Sequence, residues 1–268
     1  MATVIRAYLT LAVRLIDTTT GKELDDTDVR FIRDGNLQRP LYKGLGMWAF
    51  TGESRDDFSM TIEARGFDKT ELNVCYETLD PKLPICDVFL MPSEKNRIGG
   101  EVISIKGTLS GLKSIEAVAP DRPICRFHEA TEKKGVVTMS LLPKRSGDKV
   151  VLDTIQYALI ATDGSRYEVF EVISTNSPTQ VILKDVLKGE HVTDEKVGRI
   201  IYGRAGPDGS FVLKVRDDGN ELPYLIRFTT AKGEYFRPVD FHLESGEIDL
   251  MDKAVKAEPM TRKEEVNE

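Results

Sequence analysis

The stretch Phe58-Ser-Met-Thr-Ile-Glu-Ala-Arg-Gly66-Phe67 indicates the fold class of this chain. Its residues Phe58, Met60, Ile62 and Ala64 alternate with polar ones. Because successive side chains of a strand point to opposite faces, one set faces a core and the other faces water. We therefore predict a half-buried antiparallel strand that ends in a glycine turn.

The same period of two recurs on both sides of that strand. Further strands are predicted at residues 9–16, 27–32, 71–76 and 87–91. Trp48 and Phe50 follow Gly46 and share one face of another strand. The segment Arg33–Lys43 is polar and contains Pro40, so it is predicted to be a loop.

These features, taken in order, resemble the carboxypeptidase-regulatory or transthyretin (prealbumin-like) β-sandwich family. The resemblance covers residues 9–91, a third of the chain, and its motif consists of turn glycines and alternating apolar positions: a strand ending in Asp17, then Thr20-Gly21, Leu24, Val29, Gly46-x-Trp48-x-Phe50 and Phe58-x-Met60-x-Ile62-x-Ala64-x-Gly66-Phe67. The Arg33–Lys43 insertion departs from the family's compact hairpin. The resemblance implies a non-catalytic interaction or spacer module.

The rest of the chain also predicts strands. A polar segment, Pro92–Gly100, is the predicted linker. The clearest hairpin has arms at residues 154–160 and 167–173, which are separated by an Asp-Gly turn. The spacing of apolar residues between Val181 and Lys196 favours one short helix. Near the end, Gly209–Leu213 and Tyr224–Gly233 repeat the glycine-then-aromatic pattern of the first module.

The predicted fold class is therefore mainly β. It consists of two or three Ig/prealbumin-like β-sandwich or barrel modules with at most one or two short helices. The predicted domains are a prealbumin-like sandwich at residues 1–92 and a second β-rich region at residues 98–250, which has room for two small modules. Residues 251–268 are charged and nearly free of aromatic residues, so we predict a flexible tail.

Composition limits the class of partner. The formal net charge of −7 disfavours a general phosphate-binding surface, so we expect no nucleic-acid partner. No apolar run approaches the roughly 20 residues that span a bilayer, so we expect no membrane insertion. Arg6 and Arg14 interrupt the apolar N-terminal residues, which is unlike a signal peptide. We expect a cytoplasmic protein, or one inside a particle assembled in the cytoplasm.

Reactive residues are few and scattered. The three cysteines, Cys75, Cys86 and Cys125, do not form a disulfide framework, although a bridge between the first two stays open. No histidine has a second histidine two or four positions away. Some prealbumin-like enzymes hold iron with two tyrosines and two histidines, but nothing in this sequence groups the residues such a site would need: His128, Tyr157, Tyr167, Tyr202 and His242.

Phosphate and nucleophile motifs are absent as well. Gly44, Gly46 and Gly52 are not followed by the Lys-Ser/Thr of a phosphate loop, and no Gly-x-Ser-x-Gly pattern occurs. We therefore predict no catalytic, metal-binding or cofactor-binding residues, and a protein that is not an enzyme.

Two surface features have alternative interpretations. Trp48 suits either a sugar-stacking platform or a core position, and its phase with Phe50 favours the core. Arg33, Arg39 and Lys43 suit either an acidic partner or a solvated loop, and the solvated loop is favoured.

The predicted function is that of a structural or interaction protein. It would be an adaptor, spacer or fibre subunit of a larger assembly, such as a phage-tail-like or contractile injection particle, with other protein subunits as partners. A homo-oligomer is a further option. The alternative is a carbohydrate-binding or adhesive β-sandwich module, and a third interpretation is an enzyme with an unrecognised site, which a pocket lined by histidine or paired carboxylates would favour.

Overall fold

The computed structural model of the chain describes residues 8–25, 28–52, 55–94, 101–145, 148, 150, 152–153, 155–217 and 223–257. It divides into two units, Met1–Val102 with Arg216–Asp218, and Ile103–Val215 with Gly219–Glu268. Within the described residues the one helical segment is a 3₁₀ turn at Tyr76–Thr78. The prediction of a mainly β chain is confirmed. The predicted linker at residues 92–100 lies largely outside the described residues.

Nine of the described strands belong to the first unit. They are β1 (Leu9–Asp17), β2 (Lys22–Glu23), β3 (Val29–Arg33), β4 (Asn36–Gln38), β5 (Leu41–Gly44), β6 (Met47–Thr51), β7 (Phe58–Ala64), β8 (Thr70–Val74) and β9 (Ile85–Leu90).

The remaining strands follow in the second part of the chain. They are β10 (Glu101–Thr108), β11 (Leu112–Val118), β12 (Cys125–Lys133), β13 (Val136–Pro143), β14 (Gln156–Ile160), β15 (Tyr167–Ser177), β16 (Gln180–Leu183), β17 (Lys196–Arg199), β18 (Ile201–Tyr202), β19 (Arg204–Ala205), β20 (Ser210–Asp217), β21 (Tyr224–Thr230), β22 (Gly233–Val239), β23 (Gly246–Glu247) and β24 (Val255–Lys256).

The first unit contains two sheets with a shared core. One has the order β2-β1-β6-β5, with β9 parallel to β1, and the other has the order β4-β3-β7-β8. Met60, Ile62 and Ala64 of β7 are buried as their alternation predicts, while Phe58 is partly buried and packs against the same core. The turn before β6 depends on Gly46, whose φ is +65° and whose added Cβ would lie 2.8 Å from the Leu15 carbonyl oxygen.

The segment Arg33–Lys43 is not the loop that its polarity predicts. It contains β4 and most of β5, which are separated only by Arg39 and Pro40. The chain therefore crosses from the terminal strand of one sheet to the terminal strand of the other. Short strands with many polar residues lack the apolar alternation on which the prediction relied.

A closed barrel of six antiparallel strands forms part of the second unit. Its order is β12-β13-β16-β15-β14-β17, and the last strand pairs with both β14 and β12. The predicted hairpin is present as β14 and β15. In this register Leu159 faces Glu168 and Val197, and all three side chains are buried.

Two further sheets of the second unit share another core. Their orders are β19-β20-β10-β23 and β18-β11-β21-β22-β24. The core between them contains aromatic residues from β20, β21 and β22 and from the segment after β22: Phe211, Tyr224, Phe228, Tyr235 and Phe241.

Two predictions for this unit are wrong. The helix predicted at Val181–Lys196 is instead β16, an irregular segment at residues 184–195 and the start of β17. The flexible tail was predicted to begin too early, because β24 pairs with β22 and the Ala257 N–H donates to the Glu234 carbonyl. Residues 258–268 lie outside the described residues.

Replacing Trp48 with Ala should reduce the stability of the first unit by about 3 kcal/mol, the lower end for a large aromatic side chain that is only partly buried. Its ring lies 5.4 Å from Phe31 and 4.8 Å from Tyr42. Urea unfolding followed by circular dichroism measures the loss. An unchanged midpoint would contradict this packing.

Truncating the chain after Leu250 should cost roughly 2–3 kcal/mol, because a charged donor loses its acceptor. The Arg237 side chain is 2% exposed, and its Nε donates to the Asp252 carbonyl at 2.7 Å. Truncation after Ala257 keeps that acceptor and β24, so it is the matched control. Equal denaturation midpoints for the two truncations would show that this segment is dispensable.

Candidate functional site

A cleft of about 570 Å³ lies beside one end of the barrel. One wall is the β12–β13 hairpin, and the other is the segment at residues 184–195, which we call the connecting segment because it joins β16 to β17. Val186 and Val192 are exposed on it. Two histidines, His128 and His191, line the cleft.

His191 lies in this cleft between two buried carboxylates. Its Nδ1 is 2.6 Å from Glu195 Oε2 and its Nε2 is 3.0 Å from Glu168 Oε2. The three side chains are each 7% exposed. Glu168 also accepts the main-chain N–H groups of Lys188 and Gly189, at 2.6 and 2.9 Å. We call His191, Glu168 and Glu195 the clasp.

The strands fix Glu168, and the connecting segment supplies the rest of the clasp. Glu168 is the second residue of β15 and projects from the same face as Leu159. The ring of His191 packs edge-on against Phe127, with centroids 5.9 Å apart. Glu195 precedes β17 and its carbonyl accepts the Phe127 N–H at 2.8 Å. The clasp therefore ties the connecting segment to β12 and β15.

The contacts of His191 define its protonation state. A carboxylate only accepts hydrogen bonds, so both contacts form only when each ring nitrogen carries a proton. Burial lowers the pKa of His191, but the hydrogen bonds and charges of Glu168 and Glu195 outweigh it and raise the pKa above its ordinary value. Burial raises the pKa of Glu168, but hydrogen bonds from His191 and the two main-chain N–H groups lower it overall.

The clasp contains the residue types of an acid–base site, but His191 and Glu168 are not free to exchange a proton with a substrate. A general base needs a free lone pair within reach of a substrate proton. Both nitrogens of His191 are engaged, and both oxygens of Glu168 accept main-chain hydrogen bonds. The arrangement is suited to holding the connecting segment in place. Among the described residues, no group of three or more histidines, cysteines, aspartates or glutamates could hold a metal ion.

The structure does not bring the tyrosines and histidines of a possible iron site together as one set, although Tyr167 and Tyr202 belong to the same hydrophobic cluster. His128 is exposed at the cleft, and His242 lies in a turn after Asp240. Tyr157 pairs with Phe170, whereas Tyr167 pairs with Ile160, so their side chains project from opposite faces of the sheet. Sequence reasoning missed the clasp because its members come from β15 and from an irregular segment, and the His191–Glu195 spacing of four was their one local signal.

The other candidate residues have structural surroundings. Trp48 packs against the core of the first unit, as the core interpretation predicts. Its indole N–H is buried without a hydrogen-bond partner among the described residues. All three cysteines are free thiols, so Cys75 and Cys86 are not bridged in this structure. Burial raises the pKa of Cys125 to about 12, which makes this thiol unreactive.

The first unit exposes apolar side chains on β4, β5 and the turn that follows. Leu37, Leu41, Tyr42 and Leu45 have exposed fractions of 57%, 53%, 40% and 69%. They fall within nine consecutive residues, and both strands are terminal in their sheets. We call residues 36–45 the apolar edge. An edge strand with exposed apolar residues is a place where another strand can pair.

Comparisons with known proteins assign no family. No family model matches the chain, and no curated protein matches it. A suggested carbohydrate-binding protein from Bacteroides uniformis aligns over 86% of this chain and 91% of its own, with 11% identity and a TM-score of 0.22. The TIE protein of Bacillus anthracis aligns over 89% of this chain and 49% of its own, with 9% identity and a TM-score of 0.22.

This chain therefore covers about half the length of the Bacillus protein. TM-scores at this level establish no shared fold. Separately, none of the helices in the described part of the chain is long and apolar enough to cross a bilayer.

Replacing His191 with Gln should cost roughly 3–5 kcal/mol near pH 5.5, because two buried carboxylates lose their cation. The raised pKa of His191 contributes stability that is full below its ordinary pKa of 6.5 and is lost as pH rises through the folded value. The lowered pKa of Glu168 contributes stability above 4.5 that is lost as pH falls through its folded value.

The stability difference between wild type and His191→Gln should therefore be largest between about pH 4.5 and 6.5 and shrink in alkaline buffer. Urea unfolding across this pH range measures it. The exposed His128 of the same cleft supplies the control, and His128→Gln should leave the profile unchanged. Parallel profiles for the two variants would contradict the role of the clasp.

Proposed function

We propose that this protein is a structural or interaction subunit that docks into a larger assembly through the apolar edge of its first unit. The observation that carries the proposal is the concentration of exposed apolar residues on two terminal strands and the turn after β5, namely Leu37, Leu41, Tyr42 and Leu45. Isolated exposed apolar residues are ordinary, but four within nine consecutive residues at the edges of two sheets offer apolar contacts to a partner.

The backbone of β5 supports docking by strand addition. β5 pairs with β6 on one side and ends the order of its sheet among the described strands. A partner strand would satisfy its outward N–H and C=O groups, and side-chain contacts would add specificity. Pro40 and Lys43 at the edge disfavour indiscriminate pairing, which is a known way to guard an exposed strand.

Charge indicates the chemistry of the partner. Arg39 and Lys43 flank the exposed Leu41 and Tyr42. An extended segment in which apolar residues alternate with Asp or Glu would complement this edge. A phage-tail-like or contractile injection particle, which is built from such subunits, is the concrete assembly we propose. We also propose that the first unit is a prealbumin-like β-sandwich.

The alternative functions receive less support. Trp48 is half-buried between Phe31 and Tyr42, so it does not present an open face to a sugar. The clasp engages its own histidine and carboxylates, so it offers no free base to a substrate. Both observations favour binding through the apolar edge over carbohydrate recognition or catalysis.

Replacing Leu41 with Lys should abolish or weaken incorporation into the assembly at least about tenfold, since covering a charged side chain costs more than 1.4 kcal/mol. The protein is co-expressed with the products of neighbouring genes and its complexes are sized by chromatography with light scattering. Leu83→Lys is the matched control, because Leu83 is 54% exposed in the same unit but lies outside the apolar edge.

Two outcomes would overturn the role as an assembly subunit, and a third would overturn the docking surface. One is a protein that stays monomeric beside every co-encoded protein. The other is turnover of a substrate that is lost when a single histidine or carboxylate is replaced. Equal loss of incorporation with Leu41→Lys and Leu83→Lys would reject the apolar edge as the docking surface.

A further inference from the structure

Five of the twelve residues that line a second cleft in the second unit are basic. Its volume is about 460 Å³. Its charged residues come from the start of β15 and the residue before it, the connecting segment, β21, the β21–β22 turn, β22 and β24, and they are Arg166, Glu168, Lys188, Arg227, Lys232, Glu234 and Lys256. We call this the basic cleft. Three lysines and two arginines face two carboxylates there.

Both carboxylates of the basic cleft already have partners. Glu168 is held by His191 and by two main-chain N–H groups. Glu234 lies 3.9 Å from Arg227. By contrast, Lys188, Lys232 and Lys256 make no side-chain ion pair within the described part of the chain. Three exposed lysines therefore line one cavity without an ion pair of their own, and a bound anion would supply that partner.

The floor of the basic cleft is rigid. Arg227 pairs with the buried Glu116, with Nη2 and Oε1 2.5 Å apart, and its guanidinium lies 5.5 Å above the ring of Tyr167. The Tyr167 hydroxyl is buried and has no hydrogen-bond partner among the described residues. A fixed arginine on an aromatic ring keeps its charge at a defined place and loses little freedom when a ligand binds.

The lysines have defined attachment points as well. Lys256 lies on β24, which pairs with β22, and its Cε would be 3.2 Å from a Cβ added at Gly233. The main-chain N–H of Lys188 is held by Glu168 at 2.6 Å, and that of Lys232 donates to the Thr230 hydroxyl at 3.0 Å. Their backbones are therefore anchored around the cavity, while the ammonium groups stay adjustable.

We propose that the basic cleft binds a small organic anion that carries two or more phosphate or carboxylate groups. Its volume lies within the roughly 300–1,000 Å³ typical of small-molecule sites. The chain as a whole has a net charge of −7, so this cluster is not the consequence of a basic protein. Lysine ammonium groups bind phosphate and carboxylate oxygens as adjustable point charges.

The residues that line the cleft argue against a nucleic-acid strand as its ligand. Sequence-tolerant binding of single strands relies on aromatic side chains that stack on bases. The two aromatic residues of the lining, Tyr167 and Phe236, are buried, with exposed fractions of 1% and 4%. Neither presents a face on which a base or a sugar could stack, so charge recognition dominates.

The test is isothermal titration of the full chain with tripolyphosphate and, separately, with citrate at low ionic strength. We expect saturable binding of one equivalent, which weakens at physiological salt. Lys232→Gln and Lys256→Gln should each reduce affinity about tenfold, as expected for the loss of a charge-assisted contact. Tighter binding of tripolyphosphate assigns a phosphorylated ligand, and tighter binding of citrate assigns a carboxylated one.

Matched controls are Lys106→Gln and Lys113→Gln, which remove the same charge from exposed positions on β10 and β11. They should leave the affinity unchanged, and melting midpoints confirm that all four variants fold. Absence of saturable binding of both probes, several equivalents bound, or equal weakening by the controls would overturn the proposal. So would tighter binding of a single-stranded oligonucleotide than of either probe.

Discussion

The buried contact between His191 and Glu168 is the interaction on which the second unit most depends. The barrel closes only through β17, a strand of four residues that pairs with both β14 and β12. The connecting segment that delivers β17 contains no strand or helix of its own. Its position is set by hydrogen bonds to a carboxylate anchored on β15 and by main-chain contacts with Phe127. Charged side chains therefore fix the path of the backbone in this segment, whereas regular strand pairing fixes it elsewhere in the fold.

A buried ionic cluster is an unusual solution because desolvating charges is unfavourable. Two features reduce that cost in this case. The imidazolium of His191 lies between two carboxylates, so that each ring nitrogen has a partner, and Glu168 gains two further main-chain donors. An apolar side chain in place of Glu168 would leave the main-chain N–H groups of Lys188 and Gly189 without these acceptors. The charged arrangement therefore specifies a single path for a segment that lacks a repetitive structure.

The parts of the fold that the sequence predicted share one property, which is alternation over five or more residues. β7 and the β14–β15 hairpin are long enough for their buried faces to be recognised from the order of residues.

The wrong predictions concern segments in which the alternation of apolar and polar residues is short or misleading. The connecting segment carries apolar residues at helical spacing, but Leu187 alone among Val186, Leu187 and Val192 is buried. β4, β5 and β24 have only two to four residues, too few to show alternation, so only their partner strands identify them. The clasp and the basic cleft likewise join residues far apart in the chain, which pairing registers create and local patterns do not encode.

The net negative charge of the chain is compatible with a locally basic cleft, because charges act over short distances in salt. Under physiological salt, interactions between exposed charges fade over about 8 Å, so the net charge of −7 contributes little at a particular site. The charge that an anion would encounter in the basic cleft depends on Lys188, Lys232 and Lys256 and on the protonation of the nearby carboxylates.

Glu168 links the clasp to the basic cleft, because it belongs to the clasp and also lines the cleft. As long as His191 is protonated, the negative charge of Glu168 is compensated from within, and the cleft keeps its positive character. Deprotonation of His191 would leave one ring N–H for two carboxylates, so Glu168 or Glu195 would lose its donor, and the same event would loosen the connecting segment and weaken the attraction for an anion.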